Sequence, residues 1–316
     1  GPSDPARAAA RAAAVGRLPD RIAFLGFGLI GGSVALALRE AGSVAHLAAW
    51  TPAGTGPAEG VRRGILDAAP STAAEALAGA QLVILAGPPM AILDTLGALA
   101  GPLRPALATG VTITDVASTK GLIVALAEDL GLPFVGGHPM AGRETTGVGA
   151  ATADLFHDRP WVVVAADGTP PAHVERVQAL ALATGARPMV ITAIEHDLAV
   201  AAISHLPLVA AAALVEGVAS DPDRWPSART LAASGWRDMT RLARGDLDMG
   251  AGMLATNARP IAGFLRAYRD AINGWLADLE RIADEGAPAL PDAASVARLR
   301  IRLETARESL GMEPSS

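Results

Sequence analysis

Short, nearly unbroken apolar runs punctuate the first 190 residues: RIAFLGFG from Arg21, VAHLAAW (44–50), AQLVILA (80–86), VTITDVA (111–117) and FVGG (134–137), then WVVVAA (161–166) and PMVIT (188–192). Runs of this length, closed by glycine or proline, read as buried strands. Helical stretches separate most of them, notably LIGGSVALALREAG, STAAEALAGA, MAILDTLGALAG, STKGLIVALAEDLG and AHVERVQALALATG. Strands that are apolar on both faces and alternate with helices predict a parallel sheet covered on both sides.

After Thr192 the strand signals stop, and EHDLAVAAISHLPLVAAAALVEGVA, SARTLAASGWRDMTRLARG and AGMLATNARPIAGFLRAYRDAINGWLADLERIADEG are all helical in composition. The pattern predicts an α/β domain over residues 20–190 and an all-helical domain over 191–316. Pro207 is expected to kink its helix. In the final helix, about Pro291 to Leu310, Val296, Leu299, Leu303, Ala306 and Leu310 recur at spacings of three and four, a seam that needs a partner helix in its own domain or in a second copy. The Ala/Arg-rich start, residues 4–19, reads as a frayed helix or as unstructured chain.

The 316 residues are 51% hydrophobic and 18% charged, the profile of a globular protein of about two domains. Aromatics are only 3%, so Leu, Val, Ile and Ala must fill the core. A net charge of −6 provides no basic field for nucleic acid or an anionic membrane. The absence of cysteine excludes disulfides, zinc thiolates and thiol nucleophiles. Polar residues interrupt every apolar run before the ~18 residues of a spanning helix, and the N-terminal segment lacks the apolar centre of a secretory signal. A cytoplasmic protein is the expectation.

GFGLIG sets Gly26, Gly28 and Gly31 in a G-x-G-x-x-G pattern that follows a strand and opens a helix. The first glycine turns the chain, the second lets a pyrophosphate approach, and the third lets helix pack on strand. This is the Rossmann-type fingerprint. The expected cofactor contacts are Gly26, Phe27, Gly28, Leu29, Ile30 and Gly31, with Thr51 after the second strand and Gly87 and Pro88 after the third. Both NAD and NADP stay open: the second strand ends Ala49-Trp50-Thr51-Pro52 without an acid for a ribose hydroxyl. Thr51 with Arg62 or Arg63 would suit a 2′-phosphate, although the same arginines also read as a solvated helix face.

TDVASTKG puts Asp115 and Ser118, and GGHPMAGRE puts His138, at the carboxyl ends of adjacent strands, where open α/β sheets bind ligands. A neutral imidazole there suits the removal of an alcohol proton as hydride leaves towards nicotinamide. Ser118 also reads as the N-cap of the following helix, and Asp115 as structural. Arg237 and Arg241, four apart on a predicted helix, suit carboxylates.

GFGLIGGS, DVASTKG, GGHPMAGRETTGV with ADLFHDRPWVV, EHDLAVAAISHLP and GWRDMTRLA together span residues 21 to about 260. In order and spacing they resemble the prephenate dehydrogenase family, which includes arogenate and cyclohexadienyl dehydrogenases. The resemblance implies oxidative decarboxylation of prephenate or arogenate and a homodimer formed through the helical domain. It assigns His138 as the base, Ser118 as its partner at the same hydroxyl, Arg241 as a substrate-binding residue and Glu144 as the acidic residue beside the site. His205 is a further candidate substrate contact, although a core or interdomain role reads better for it. Leu208 replaces the final histidine of the family's SHLPH segment and Gly250 stands where a tryptophan is common, so prephenate, arogenate and a 4-amino analogue all stay open. A non-catalytic cofactor sensor is the reading from another class. Related reductases that work with a helical-domain lysine fit poorly, because Lys120 is the only lysine.

Overall fold

The computed structural model describes residues 5–142, 145–284 and 292–311. Seven strands form one sheet: β1 (Arg21–Leu25), β2 (His46–Trp50), β3 (Leu82–Leu85), β4 (Thr112–Asp115), β5 (Phe134–Pro139), β6 (Pro160–Ala165) and β7 (Arg187–Val190), in the order β2-β1-β3-β4-β5-β6-β7. The strand order reverses between β1 and β3, which makes a crevice beyond their carboxyl ends. The first five strands are parallel as expected, but β6 runs antiparallel to β5, and β7 is parallel to β6. The fully parallel expectation fails at that one step for a physical reason. A parallel neighbour needs a crossover helix, and among the described residues between β5 and β6 there is only the 3-10 turn Val148–Ala150.

Helix α1 (Pro5–Val15) is formed, and Arg11 in it donates to the carbonyls of Ala183 and Ala37, both at 3.2 Å. It is followed by α2 (Leu29–Glu40), α3 (Thr55–Arg62), α4 (Ala73–Leu77), α5 (Pro89–Ala100), α6 (Gly121–Asp129) and α7 (Pro171–Ala183). Successive strand side chains point to opposite faces, so two cores result. Ile22, Phe24, Ile84 and Val163 pack with α2 and α7 on one side, and Ala23, Leu25, Val83 and Ile113 with α5 and α6 on the other. Both faces are covered, which is why the strands carry no polar alternation.

The remaining chain is helical: α8 (Ala193–Val200), a π-turn (Ala201–His205), α9 (Leu206–Ala219), α10 (Trp225–Thr230), α11 (Ser234–Thr240), α12 (Leu247–Thr256), α13 (Ala258–Asp284) and α14 (Ala293–Leu310). Pro207 lies in the first turn of α9, where its missing N–H is tolerated, and the irregularity falls before it as the π-turn. From Ala193 to Ala219 the path is one 27-residue helical run holding an 18-residue window of mean hydropathy 2.2, long and apolar enough to cross a membrane. This corrects the sequence reading. The acids sit near the ends of the run, and Ser204 and His205 do not lower its mean enough to break it. Three of its polar residues, His196, Asp197 and His205, are buried in the protein.

Compactness divides the chain into Gly1–Ile261 and Ala262–Ser316. In the second unit α14 meets α13 through polar groups. Arg302 donates to Asp278 at 2.8 Å and stacks over the Trp275 ring at 4.4 Å. The seam residues Val296, Leu303 and Leu310 are exposed. Pro291, at the start of the predicted helix, lies outside the described residues.

Candidate active site

Beyond β1 and β3 lies a cleft of about 650 Å³, lined among others by Gly26, Phe27, Gly28, Thr51, Gly87 and Pro88. Its shape is set by glycines. Gly26 has φ +99°, and a Cβ there would sit 2.5 Å from the Ala86 carbonyl oxygen. A Cβ on Gly31 would be 3.2 Å from the Ala86 Cβ, so this glycine holds α2 against β3. At Gly28 a Cβ would meet no atom of the described residues within 4 Å: the space beside it is cleft. Gly28 is also the N-cap of α2 and supplies no side-chain cap, which leaves the first N–H groups of the helix to a ligand. Leu29, Ile30 and Gly31 make that first turn. The cradle fits a dinucleotide pyrophosphate.

Just beyond β2, Thr51 Oγ1 accepts from the Gly54 amide at 3.1 Å. The arginines singled out for a 2′-phosphate are engaged elsewhere: Arg62 pairs with Glu59, and Arg63 donates to the Val148 carbonyl at 2.7 Å. Thr55, Thr95 and Val148 also line the cleft. Sequence reasoning missed them because only their folded positions, not any motif, bring them there.

His138 leaves the end of β5 half-buried, with Nδ1 2.8 Å from Nε2 of His196 and the two rings edge-on at 79°. His196 in turn places Nδ1 2.8 Å from Asp197 Oδ1. The Asp197 carboxylate accepts from the backbone amides of Lys120 (2.8 Å) and Gly121 (2.7 Å), and so caps α6 from another helix. Burial pushes Asp197 up, but the bonds from His196, Lys120 and Gly121 outweigh it and hold the carboxyl below its ordinary value. His138 is pushed well below the ordinary 6.5 by burial, then by His196, Lys120 and His205, so it is a neutral base over a wider range than sequence implied. His196 and Asp197 were inside a recognised segment yet had no role in the sequence reading. Neighbours in sequence gave no sign that one faces a strand end and the other a helix terminus.

Ser118 does not cap α6, whose N-cap residue is Lys120. Among the described residues its buried Oγ has no hydrogen-bond partner, and neither has the buried Nε2 nitrogen of His205. A buried polar atom in this state can receive a ligand or a water. His205 is fully buried, and its Nδ1 lies 3.1 Å from the Asn257 amide nitrogen, which also donates to the Asp197 carbonyl at 2.8 Å. Asp115 is structural as expected: it is fully buried, pairs with Lys120 and accepts from the amides of Ala117 and Gly137, both at 3.0 Å. Arg237 is exposed on α11, and Arg241 begins the 3-10 turn Arg241–Arg244 just after α11 ends, rather than continuing one helix face. Leu208 and Gly250 are neighbours: a Cβ on Gly250 would lie 3.6 Å from Leu208 Cδ2. Glu144 lies outside the described residues.

Family models agree with this architecture. One described as the prephenate dehydrogenase nucleotide-binding domain matches residues 34–190, and one described as the prephenate dehydrogenase dimerization domain matches residues 192–286. A prephenate dehydrogenase of Bacillus subtilis is 30% identical over 270 residues, which is 84% of this chain and 70% of the relative. The chain belongs to the prephenate dehydrogenase family. It is an oxidoreductase with a nicotinamide cofactor, in a family that serves tyrosine biosynthesis, and it has a nucleotide-binding domain followed by a helical one. Among solved structures, Synechocystis arogenate dehydrogenase is similar at TM-score 0.71 and 30% identity, over 92% of this chain and 99% of that one. The prephenate dehydrogenase of A. aeolicus, solved with hydroxyphenyl propionate and NAD+, matches in fold at TM-score 0.79 and 22% identity, over 92% and 98% of the two chains.

Proposed function

We propose that this chain oxidises the C4 alcohol of prephenate and releases its ring carboxylate as CO₂, giving 4-hydroxyphenylpyruvate. The observation that carries the proposal is His138 at the end of β5, held through Nδ1 by His196, so that Nε2 is the nitrogen assigned to the substrate. The bound nicotinamide supplies a hydride acceptor. His138 Nε2 takes the hydroxyl proton as the hydride leaves C4, and Ser118 Oγ orients that hydroxyl. When the bond from C1 to the carboxylate breaks, its electron pair aromatises the ring, and the resulting phenolate oxygen recovers a proton from His138. Arg241 and Arg237 receive the substrate carboxylates as bidentate cations. The buried Nε2 of His205 offers one further polar contact, and Glu144 is assigned a place beside the substrate by family resemblance.

Arogenate is the second reading, favoured by the likeness to the Synechocystis enzyme over nearly the whole chain. The cofactor is proposed to be NAD, because Arg62 and Arg63 are tied to Glu59 and Val148 rather than lining the cleft. Residues 20–190 hold the nucleotide, and 191–316 complete the substrate site and join two copies. Exposed Ile194, Leu198 and Ile203 on the long apolar run support that partner role. A cytoplasmic location goes with a soluble biosynthetic enzyme. The test is an activity matrix of prephenate and arogenate against NAD and NADP, read as reduced nicotinamide absorbance. Turnover with neither substrate would end this proposal.

A further inference from the structure

The hydrogen-bonded chain does not stop at His138. Four consecutive contacts, from His138 Nδ1 to His196 Nε2, from His196 Nδ1 to Asp197 Oδ1, and from the Asp197 carboxylate to the amides of Lys120 and Gly121, run from the end of β5 to the start of α6 at 2.7–2.8 Å. The direction of each bond follows from the last group in the chain. Asp197 already accepts two backbone N–H groups and is therefore an ionised acceptor, so His196 must donate to it through Nδ1–H. A neutral His196 then has a bare Nε2, which can only accept. His138 must donate to it through Nδ1–H, and the lone pair of His138 is forced onto Nε2.

We propose that His196 and Asp197 are positioning residues that fix His138 in its Nδ1-protonated tautomer and spread the positive charge formed when Nε2 takes the substrate proton. The inference rests on the assignment of His138 as base. The proton balance is closed: the hydroxyl proton goes to His138 Nε2, the Nδ1 proton stays in the contact with His196, and the charge is offset by Asp197 two groups away. The arrangement is built rather than incidental. His196 is 1% exposed, and Asn257 holds the Asp197 carbonyl from the end of α12 at 2.8 Å. Among the described residues, the ionisable groups around His138 belong to connected contacts: His196 and Asp197 from α8, Lys120 with Asp115 at the strand ends, and His205 from the π-turn.

The experiment uses the full chain with ring-¹⁵N-labelled histidine, together with His196→Leu, His196→Gln and His138→Gln. The native ring of His138 should show a protonated Nδ1 and a bare Nε2 at neutral pH. His196→Leu should mix the tautomers and lower kcat by about 100-fold or more, with the substrate KM and cofactor Kd within about threefold of native. His196→Gln, whose amide oxygen can accept from Nδ1–H, should recover at least a tenth of the native kcat and the native tautomer. A native His138 protonated on Nε2 overturns the inference even if the leucine variant does not fold. So does native kcat in His196→Leu with an unchanged tautomer. Retained activity in His138→Gln is a different failure: it removes the base itself, and with it the proposed function, whatever the tautomer.

Discussion

Asn257 ends α12 with its side-chain nitrogen 3.1 Å from His205 Nδ1, and so directs the only imidazole proton of a buried histidine onto Nε2, where no atom of the described residues receives it. Burial lowers the pKa of this ring from 6.5 to about 4 despite the nearby Asp197 charge. Because the folded value is below the unfolded one, the unfolded chain binds the proton first as pH falls. Stability is therefore full above pH 6.5 and declines towards pH 4, by up to about 1.4 kcal/mol per pH unit for one such histidine. His138 shifts in the same direction. Urea unfolding at several pH values between 7 and 5 should give this slope, and His205→Gln should reduce it.

Gly26 and Gly28 should separate folding from binding. Gly28→Ala adds a methyl to open cleft and should leave the melting temperature within a few degrees of native while weakening cofactor at least tenfold. Gly26→Ala forces φ +99° and a 2.5 Å approach to the Ala86 carbonyl, and should unfold at a clearly lower temperature. Thermal melts with calorimetric cofactor titration check both. Equal cofactor affinity in Gly28→Ala and native chain would refute the cradle.

Arg241→Gln removes a cation proposed for a substrate carboxylate, and the loss of one charged hydrogen bond is worth about 1.5–3 kcal/mol, roughly 10- to 100-fold in kcat/KM. The effect should appear mainly in KM, with cofactor Kd unchanged. Arg237→Gln should show a smaller effect in the same assay. Unchanged KM in both would remove these residues from the site.

Ile194 and Ile203 are 74% and 69% exposed in the single chain. Ile203→Glu should shift sedimentation towards the mass of one chain at micromolar concentration, because it would bury a charge in the proposed contact between copies. If native and variant chains sediment alike, that face is not the contact.

Much of this fold was legible because buried parallel strands are apolar on both faces, and the glycine turn after β1 has a fixed purpose. The reversal at β6 was not legible from strand composition: WVVVAA is equally apolar in either direction, and only the lack of a crossover helix before it carries the signal. His138 stood out as a polar residue among glycines at a strand end. His196 and Asp197 did not, since a His-Asp pair on a helix has no chemical meaning until α8 is placed against the start of α6. The 27-residue apolar run shows the converse limit: its composition suits lipid, while its buried His196, Asp197 and His205 are committed to partners in the protein.

The single lysine, with none of its surface open to solvent, has a practical result. Lys120 is the only side-chain amine that an acylating reagent can find, and it is out of reach while its pairing with Asp115 holds. Acetylation at this one position, followed by mass spectrometry, therefore counts the moments when the strand ends beneath the base come apart, and a ligand that locks the site should slow the labelling.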